Sequence, residues 1–341
     1  MSVDRLVIHV GPISSRGGIS KVMRLLINNP SKKYRTMYFD TYINSTIIKK
    51  ILNIFKLRRM LKRDIKNLKP DILHFHVTHN FSWWRKLSLI KIALRYKIPC
   101  IINIHSGKFD IFCKKYNSIA GKILKKLSDN ELIQVVVLEK RWVESLSYFA
   151  NDLVCIRNPV KIEKIHDKNK KNRENISLLL IARGDKIKGH EFALEVLSQI
   201  NKNGFEANLE MTGVKSNFNI SKDLNVKIHE WVVEDEEVKK IIKRSDFVLS
   251  PSEYEGSSMS VLEAMASGSI PIVSKVSSET VSVKDLVVEN KNPKDWANKI
   301  IEIISKSKQQ DLRKEIAEVI QRHEVSKIST QWSKQYDLTM K

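Results

Sequence analysis

The chain has 341 residues, of which 42% are hydrophobic and 29% charged, a composition typical of a soluble globular protein with room for two domains. Its longest apolar run, residues 176–182, is far shorter than the roughly 20 residues of a membrane-spanning helix, and its first residues lack the features of a secretory signal. The cysteines Cys100, Cys113 and Cys155 show no metal-ligand spacing, which favours packing roles in a reduced compartment.

The net charge of +22 is unevenly distributed. Residues 1–158 contain 30 basic and 10 acidic residues, whereas residues 159–341 contain 30 and 28. This asymmetry predicts a negatively charged partner that meets the first half only. An anionic membrane surface and nucleic acid are the two candidates.

The first half alternates β-rich apolar runs with helical patterns. Such alternation predicts a parallel sheet with helices on both faces. The predicted strands are residues 6–10, 36–39, 71–76, 100–105, 133–138 and 153–156. The predicted helices are residues 19–27, 47–68, 83–96, 119–127 and 141–149.

A polar run at residues 161–175 predicts an interdomain linker, and a surface loop within one domain would have the same composition. The alternation then restarts. The predicted strands are residues 177–182, 207–211, 226–229, 247–250 and 270–274. The predicted helices are residues 190–201, 234–243, 258–267, 293–305, 311–322 and 326–340. Two successive doubly wound units predict a nucleotide ligand in a cleft between them.

The most informative segment, residues 250–273, has the pattern of strand, polar turn, helix, glycine stop and strand. Gly256, Ser257, Ser258 and Met259 lie where the turn enters the helix. Free N–H groups and the helix dipole favour an anion such as a diphosphate at this point. Glu263 follows on the first turns, within reach of a ribose. Taken alone, such a turn is also ordinary helix capping.

Glu255 and Glu263 lie eight positions apart in a segment that reads E-G at the first glutamate and E-A-M-A-x-G-x-P at the second. This pattern resembles the E-x7-E signature of glycosyltransferase family 4, whose members are retaining enzymes of the GT-B fold. Upstream, Arg183 and Lys188 lie in a segment that resembles the family's G-R-L-x-x-x-K-G element. The sequence departs from that element at Ala182 and Gly184, where the family usually has Gly and Leu.

Weaker resemblances follow in family order along most of the chain. They are the glycine loop at Gly17 and Gly18, the D-I-x-H-x-H strand at residues 71–76, the strand ending at His105, the crossing at residues 156–160 and the terminal helix. The resemblance implies two Rossmann-like domains that face a cleft. The first spans residues 1–160 with the terminal helix 325–341 crossing back to it, and the second spans residues 161–324.

The resemblance also implies roles for the site residues. The second domain would bind a UDP- or GDP-sugar, with Glu263 on the ribose and Glu255 on the sugar hydroxyls. His105 would hydrogen-bond the sugar near C6 and stabilise an oxocarbenium-like transition state. Gly17 and Gly18 would approach the donor phosphates or the acceptor. The groups expected to stabilise the leaving diphosphate are Arg183, Lys188 and the N–H groups of Gly256, Ser257, Ser258 and Met259.

No metal and no cofactor are expected, because these cations and the helix terminus neutralise the diphosphate. The sequence contains no D-x-D triad, and the nearest approach to a ligand cluster is His74, His76 and His79. A glycosidase would also use paired carboxylates, but Glu263 lies inside a helix that is suited to phosphate binding.

Residues 47–68 form a predicted amphipathic helix with eight Lys/Arg residues and one acidic residue, Asp64. Together with the aromatic and basic segment 81–86, which has the pattern of an exposed interface, this helix predicts contact with anionic lipid. The alternative is a core-packed helix with a solvated basic face. Bacterial enzymes of the resembled family commonly act on lipid-diphosphate-linked glycans, which implies a cytoplasmic protein, peripheral on the inner face of the plasma membrane.

The resulting prediction is a retaining, metal-independent hexosyltransferase in O-antigen, capsule or exopolysaccharide synthesis. Its alternatives are a GT-B-like UDP-sugar epimerase and a basic membrane- or nucleic-acid-binding module. Nucleic-acid binding predicts aromatic residues on a sheet or a recognition helix, and the sequence indicates neither.

Overall fold

The computed structural model describes residues 5–115, 119–162, 175–214, 218–230 and 235–341. These divide into two compact units. The first contains the described residues up to Pro159 and from Val325 to Lys341, and the second those from Val160 to Glu324. The predicted domains differ from these units by one residue at the crossing. Most of the predicted linker, residues 163–174, lies outside the described residues.

The described part of the first unit contains a six-stranded parallel sheet with the strand order β2-β1-β3-β4-β5-β6. Its strands are β1 (Arg5–Gly11), β2 (Tyr34–Asp40), β3 (Ile72–Val77), β4 (Cys100–Ile104), β5 (Ile133–Val137) and β6 (Val154–Cys155). The helices between them are α1 (Gly18–Asn28), α2 (Ile47–Leu68), α3 (Phe81–Arg95), α4 (Phe109–Lys115), α5 (Ile119–Ser128) and α6 (Lys140–Leu146). The short helix α4 was not predicted.

The core of the first unit forms around β3 and β4, which are buried along their whole lengths. Central parallel strands are covered on both faces and therefore have almost continuous apolar sequences. The helices contribute Leu57, Leu61 and Ile65 from α2 and Trp83 from α3 to the same core. Polar residues within these central strands are thus exceptions that need a structural reason.

The described part of the second unit contains a six-stranded parallel sheet with the order β12-β11-β10-β7-β8-β9. Its strands are β7 (Ile176–Ile181), β8 (Ala207–Thr212), β9 (Val226–His229), β10 (Phe247–Ser250), β11 (Ile270–Ser274) and β12 (Val287–Val288). Its helices are α7 (His190–Lys202), α8 (Asp235–Arg244), α9 (Met259–Ala266), α10 (Ser278–Val281), α11 (Pro293–Ser305) and α12 (Gln309–Ile320). The two-residue strand β12 and the one-turn helix α10 were not predicted.

The last helix, α13 (Val325–Thr339), belongs to the first unit although it follows the second in sequence. Its buried face carries Ile328, Trp332 and Tyr336, as the four-residue spacing predicts. The Trp332 ring lies 4.4 Å from the His74 ring, and the Tyr336 hydroxyl is 2.8 Å from His74 Nδ1. The helix therefore covers polar residues of the central strand β3.

Two surface predictions for the first unit have different outcomes. Helix α2 has the predicted bounds. The burial of its apolar side chains changes along its length: Leu57, Leu61 and Ile65 are buried, whereas Ile48 and Phe55 are 71% and 68% exposed. The prediction of an exposed interface at residues 81–86 is wrong for Trp83, Arg85 and Lys86, which α3 buries. Among the described residues, no helix combines the length and the hydropathy needed to span a bilayer.

Candidate active site

The second unit has a topological switch point between β7 and β10. Successive strands extend from β7 through β8 to β9 on one side, and from β10 through β11 to β12 on the other. Ligands of open parallel sheets bind outside the carboxyl ends of the strands at such a point. The loops that leave β7 and β10 there are residues 182–189 and 251–258. These loops contain most of the predicted donor-binding residues.

The two loops are in direct contact. The Glu253 N–H donates a hydrogen bond to the Ile187 carbonyl oxygen over 3.0 Å. Gly189 has φ +77°, and a Cβ atom there would lie 2.7 Å from Pro251 Cγ. The close approach and the left-handed conformation both require glycine. The glycine that follows Lys188 thus lets the two loops close upon each other.

Lys188 and Glu255 form an ion pair across this contact. Lys188 Nζ donates a hydrogen bond to Glu255 Oε1 over 2.6 Å, and the two side chains are only 17% and 13% exposed. The structure therefore brings together two residues that the sequence assigned to different parts of a donor, the diphosphate and the sugar. No sequence signal indicated that they would contact each other.

Arg183 follows β7 and is accessible. Its side chain is 65% exposed, and its guanidinium Nη2 lies 3.6 Å from Asp185 Oδ2. An ion pair this exposed contributes little energy, so the guanidinium can exchange partners at low cost. Arg183 is therefore a suitable group for an incoming phosphate.

The other loop leads into the N-terminus of α9. The helix begins at Met259, and Ser258 precedes it in an extended conformation without a side-chain capping hydrogen bond. Instead, Ser258 Oγ lies 3.1 Å from Ser260 Oγ. The first N–H groups of a helix have no intrahelical acceptor, and together with the helix dipole they favour an anion at this end. Gly256, Ser257, Ser258 and Met259 are buried around this terminus, and Glu263 is half-buried on the second turn.

In the first unit, the predicted residues lie after two strands of the sheet. Gly17 has φ +139° and directly precedes α1, of which Gly18 is the first residue. His105 directly follows β4, and its N–H donates a hydrogen bond to the Val77 carbonyl oxygen over 2.9 Å. His105 is half-buried.

His105 is the outer member of a hydrogen-bonded group of histidines. Its Nε2 is 2.9 Å from His76 Nδ1, and His76 Nε2 is 3.0 Å from His9 Nδ1. Burial lowers the pKa of His9 and of His105 to about 3, and it lowers the pKa of His76 well below its usual value. All three rings are therefore neutral at physiological pH. Sequence reasoning missed His9, although a histidine inside the apolar run of β1 is itself an unusual feature.

The histidines that lie together differ from the trio considered in the sequence. His79 Nδ1 bonds Ser106 Oγ at 2.5 Å instead. His9, His74 and His76 each have a ring nitrogen within 4.8 Å of the others. The His74 and His76 rings are stacked, with their centroids 4.3 Å apart and an interplanar angle of 12°. A metal lies in the plane of each imidazole that binds it, so stacked rings of this kind do not direct their nitrogens at one point.

Comparison with known proteins agrees with the fold. Residues 161–322 match the family described as "Glycosyl transferases group 1". The capsular polysaccharide biosynthesis glycosyltransferase CapH of Staphylococcus aureus is 29% identical over 283 residues, which cover 76% of this chain and 75% of that protein.

Two solved structures share the fold over most of this chain. Sucrose-phosphate synthase from Thermosynechococcus elongatus has a TM-score of 0.76 at 16% identity, over 98% of this chain and 98% of that one. S. aureus TarM, in a complex with fondaparinux, alpha-GlcNAc-glycerol and UDP, has a TM-score of 0.63 at 18% identity, over 82% and 59%. The fold prediction is confirmed: the chain has the GT-B fold, and its second unit matches the group 1 glycosyl transferases.

Proposed function

We propose that this protein is a retaining glycosyltransferase that moves a sugar from a UDP- or GDP-sugar to a glycan or lipid-linked acceptor in surface polysaccharide synthesis. The observation that carries the proposal is the contact between the two loops at the switch point. There, Lys188, on the loop that also contains the exposed Arg183, forms an ion pair with Glu255, in the unit that matches the group 1 glycosyl transferases.

The donor diphosphate is bound by fixed positive charge. Arg183 offers an accessible guanidinium, Lys188 an ammonium group, and the start of α9 the N–H groups of its first turn. As the bond to the sugar breaks, negative charge develops on the diphosphate, and these preorganised groups stabilise it. Because they supply the positive charge themselves, we propose that catalysis requires no metal ion.

The sugar and the ribose are each assigned to particular side chains. Glu263, half-buried on α9, accepts hydrogen bonds from the ribose hydroxyls, and Glu255 accepts them from the sugar. His105 hydrogen-bonds the transferred sugar, and the glycine turn at Gly17 and Gly18 admits the donor phosphates or the acceptor close to the backbone. These assignments follow the family pattern.

Two comparisons narrow the proposed substrates. CapH is named for capsular polysaccharide biosynthesis, which favours a capsule or related polysaccharide as the product here. TarM was solved with UDP, which favours a UDP-sugar. The positive charge of the first half suits an acceptor carried on a lipid diphosphate and an anionic membrane. We therefore propose that the enzyme works at the inner face of the plasma membrane.

Nucleotide binding in the presence of EDTA tests the donor site. We expect UDP or GDP to raise the melting temperature of the purified protein and to bind in calorimetric titration. Arg183→Met and Glu263→Gln weaken this binding. Lys314→Met is the matched control, because Lys314 belongs to the same unit and is 70% exposed, close to the exposure of Arg183.

Two outcomes of this experiment count against the proposal. If neither nucleotide binds, the donor site is wrong. If binding is abolished by EDTA and restored by Mg²⁺, the metal-independent mechanism is wrong. Product analysis with a single nucleotide sugar then separates a transferase from an epimerase, because only an epimerase returns an isomeric nucleotide sugar without an acceptor.

A further inference from the structure

Three histidines form a continuous hydrogen-bonded row across three neighbouring strands. His9 lies on β1, His76 on β3, and His105 directly after β4. The centroids of consecutive rings are 5.3 Å and 5.1 Å apart, and the ring planes differ by 23° and 34°. With nitrogen–nitrogen distances of 3.0 Å and 2.9 Å, the rings meet edge to edge along the hydrogen bonds. His74 is outside the row and stacks on the face of His76.

Each ring in this row is neutral and carries one proton. His9 and His76 are fully buried, and desolvation disfavours their charged forms. A charge on the neighbouring Lys86 acts in the same direction on the pKa of His76 and His105, and burial lowers the pKa of Lys86 itself well below its usual value. A neutral imidazole donates from one nitrogen and accepts at the other.

Counting protons leaves two arrangements of the row. Each of the two links contains one proton between its two nitrogens, since two lone pairs or two N–H groups facing each other repel. If His105 carries its proton on Nδ1, then His76 and His9 carry theirs on Nδ1 as well. If His105 carries it on Nε2, the other two are also Nε2–H. The tautomer of His105 is therefore linked to that of His9.

The surroundings of His9, at the buried end of the row, select between these two proton arrangements. His9 Nε2 is buried and has no hydrogen-bond partner among the residues that the structure describes. Buried N–H groups without an acceptor are rarer in proteins than acceptors without a donor. His9 therefore carries its proton on Nδ1 and leaves a lone pair on Nε2. The row then gives His105 a proton on Nδ1, the ring nitrogen that no hydrogen bond within the described residues uses.

We propose that His9 and His76 are positioning residues that hold His105 in its Nδ1–H tautomer, so that His105 presents a hydrogen-bond donor to its substrate. The identification of this substrate as the transferred sugar rests on the function proposed above. A hydrogen-bond donor at His105 Nδ1 stabilises oxygen atoms of the sugar that become more electron-rich in the transition state. The wrong tautomer would present a lone pair to the same atoms.

Histidine tautomers are read directly by long-range ¹H–¹⁵N correlation spectra at neutral pH. We expect Nδ1–H in His9, His76 and His105, with each ring assigned by its substitution. In His9→Phe the row loses its inner donor, so we expect His105 to become a mixture of tautomers. His9→Asn keeps an amide donor near the position of Nδ1 and restores the Nδ1–H form. His74→Phe changes an equally buried neighbour outside the row and leaves His105 unchanged.

Turnover provides the second measurement. We expect His9→Phe to lower kcat by about 10- to 100-fold, as loss of a group that orients a functional histidine does elsewhere. The KM for the donor stays unchanged, and His9→Asn recovers most of the loss. Equal losses in His9→Phe and His74→Phe would show a structural effect only and overturn the positioning role.

The wild-type spectrum tests the inference even if a variant does not fold. An Nε2–H or a charged His105 overturns it, and so does a stoichiometric zinc ion on His9 and His76 in the purified protein. If Nδ1–H is found in all three rings but no nucleotide sugar is turned over, the proposed function fails while the tautomer assignment stands.

Discussion

Lys188 Nζ lies 2.6 Å from Glu255 Oε1, and this ion pair joins two residues that are 67 positions apart. One is expected to bind the diphosphate of a donor and the other its sugar. In the structure, each neutralises the other. Under the proposed function, an incoming diphosphate would compete with Glu255 for Lys188, and the same competition would release the Glu255 carboxylate for the sugar hydroxyls.

This competition gives a signed prediction for Glu255→Gln. The substitution removes the carboxylate that holds Lys188, so the free nucleoside diphosphate should bind more tightly, by up to about 1 kcal/mol or fivefold. Sugar transfer should fall at the same time, because the sugar hydroxyls lose a charged hydrogen-bond acceptor and face an amide NH2 group at one of the two carboxylate oxygen positions. Calorimetric titration with UDP and GDP measures the first effect, and turnover measures the second. Weaker nucleotide binding in Glu255→Gln would show that Glu255 supports the phosphate site instead of competing with it.

Gly189→Ala tests the closure of the two loops. We expect a loss of unfolding free energy larger than about 1 kcal/mol, because alanine is strained at this φ and its Cβ would lie 2.7 Å from Pro251 Cγ. Gly204→Ala is the matched control: Gly204 has φ +82°, but no atom lies within 4 Å of the added Cβ. Urea unfolding measures both variants. If the two lose the same stability, contact with Pro251 is not important.

Three buried histidines and the half-buried His105 predict a steep loss of stability in acid. His9, His74, His76 and His105 have folded-state pKa values below the ordinary value of 6.5, so below pH 6.5 the unfolded chain binds more protons than the folded one. Stability is then retained above pH 6.5 and lost as the pH falls. Four such groups lower the unfolding free energy by about 4 kcal/mol between pH 6.5 and pH 5.5.

Unfolding in urea at these two pH values checks the effect. His74→Phe should reduce the difference by about 1 kcal/mol, since one of the four groups is removed. An unfolding free energy that does not change between pH 6.5 and pH 5.5 contradicts the assignment of these rings as buried and neutral.

The exposed stripe on α2 predicts binding to anionic lipid. Ile48, Ile51, Leu52 and Phe55 lie on one face, are 47–71% exposed, and have basic residues such as Lys49, Lys56 and Arg59 beside them. We expect the protein to sediment with vesicles that contain phosphatidylglycerol, and added salt to weaken this binding. Phe55→Ser should weaken it about tenfold, because the aromatic ring loses its burial in the interface.

Leu338→Ser is the control for this prediction, since Leu338 is 58% exposed on a different helix, α13. Equal binding to vesicles of neutral phosphatidylcholine would contradict a role for the basic residues. Equal effects of the two substitutions would contradict a role for the α2 stripe.

Local patterns in the sequence predicted most of the fold because parallel strands and amphipathic helices have distinct periodicities. They gave the bounds of α2 and located nearly all strands. Burial was harder to predict: the sequence pattern suggested that Trp83, Arg85 and Lys86 lie at the surface, but α3 buries them. The two-residue strand β12 is too short to leave a pattern.

The candidate site was predictable only in part, for a similar reason. Local patterns predicted Arg183, Lys188, Glu255 and Glu263 as site residues, and their roles stay predictions. These patterns missed the Lys188–Glu255 pair and the place of His9 beside His76. Both contacts depend on which strands become neighbours in a sheet, and strand order is not encoded in local spacing.

We propose that the second unit binds a nucleotide sugar whose sugar is transferred to an acceptor. The most direct test is to incubate the purified protein with radiolabelled UDP- and GDP-sugars and bacterial membrane lipid, and to measure label in the lipid phase. We predict that one donor labels the lipid with EDTA present, and that Arg183→Met and Glu255→Gln abolish labelling while Lys314→Met does not. The proposed function would be contradicted if no nucleotide sugar labelled the lipid. It would also be contradicted if the Arg183→Met and Glu255→Gln variants labelled the lipid as strongly as the wild-type protein.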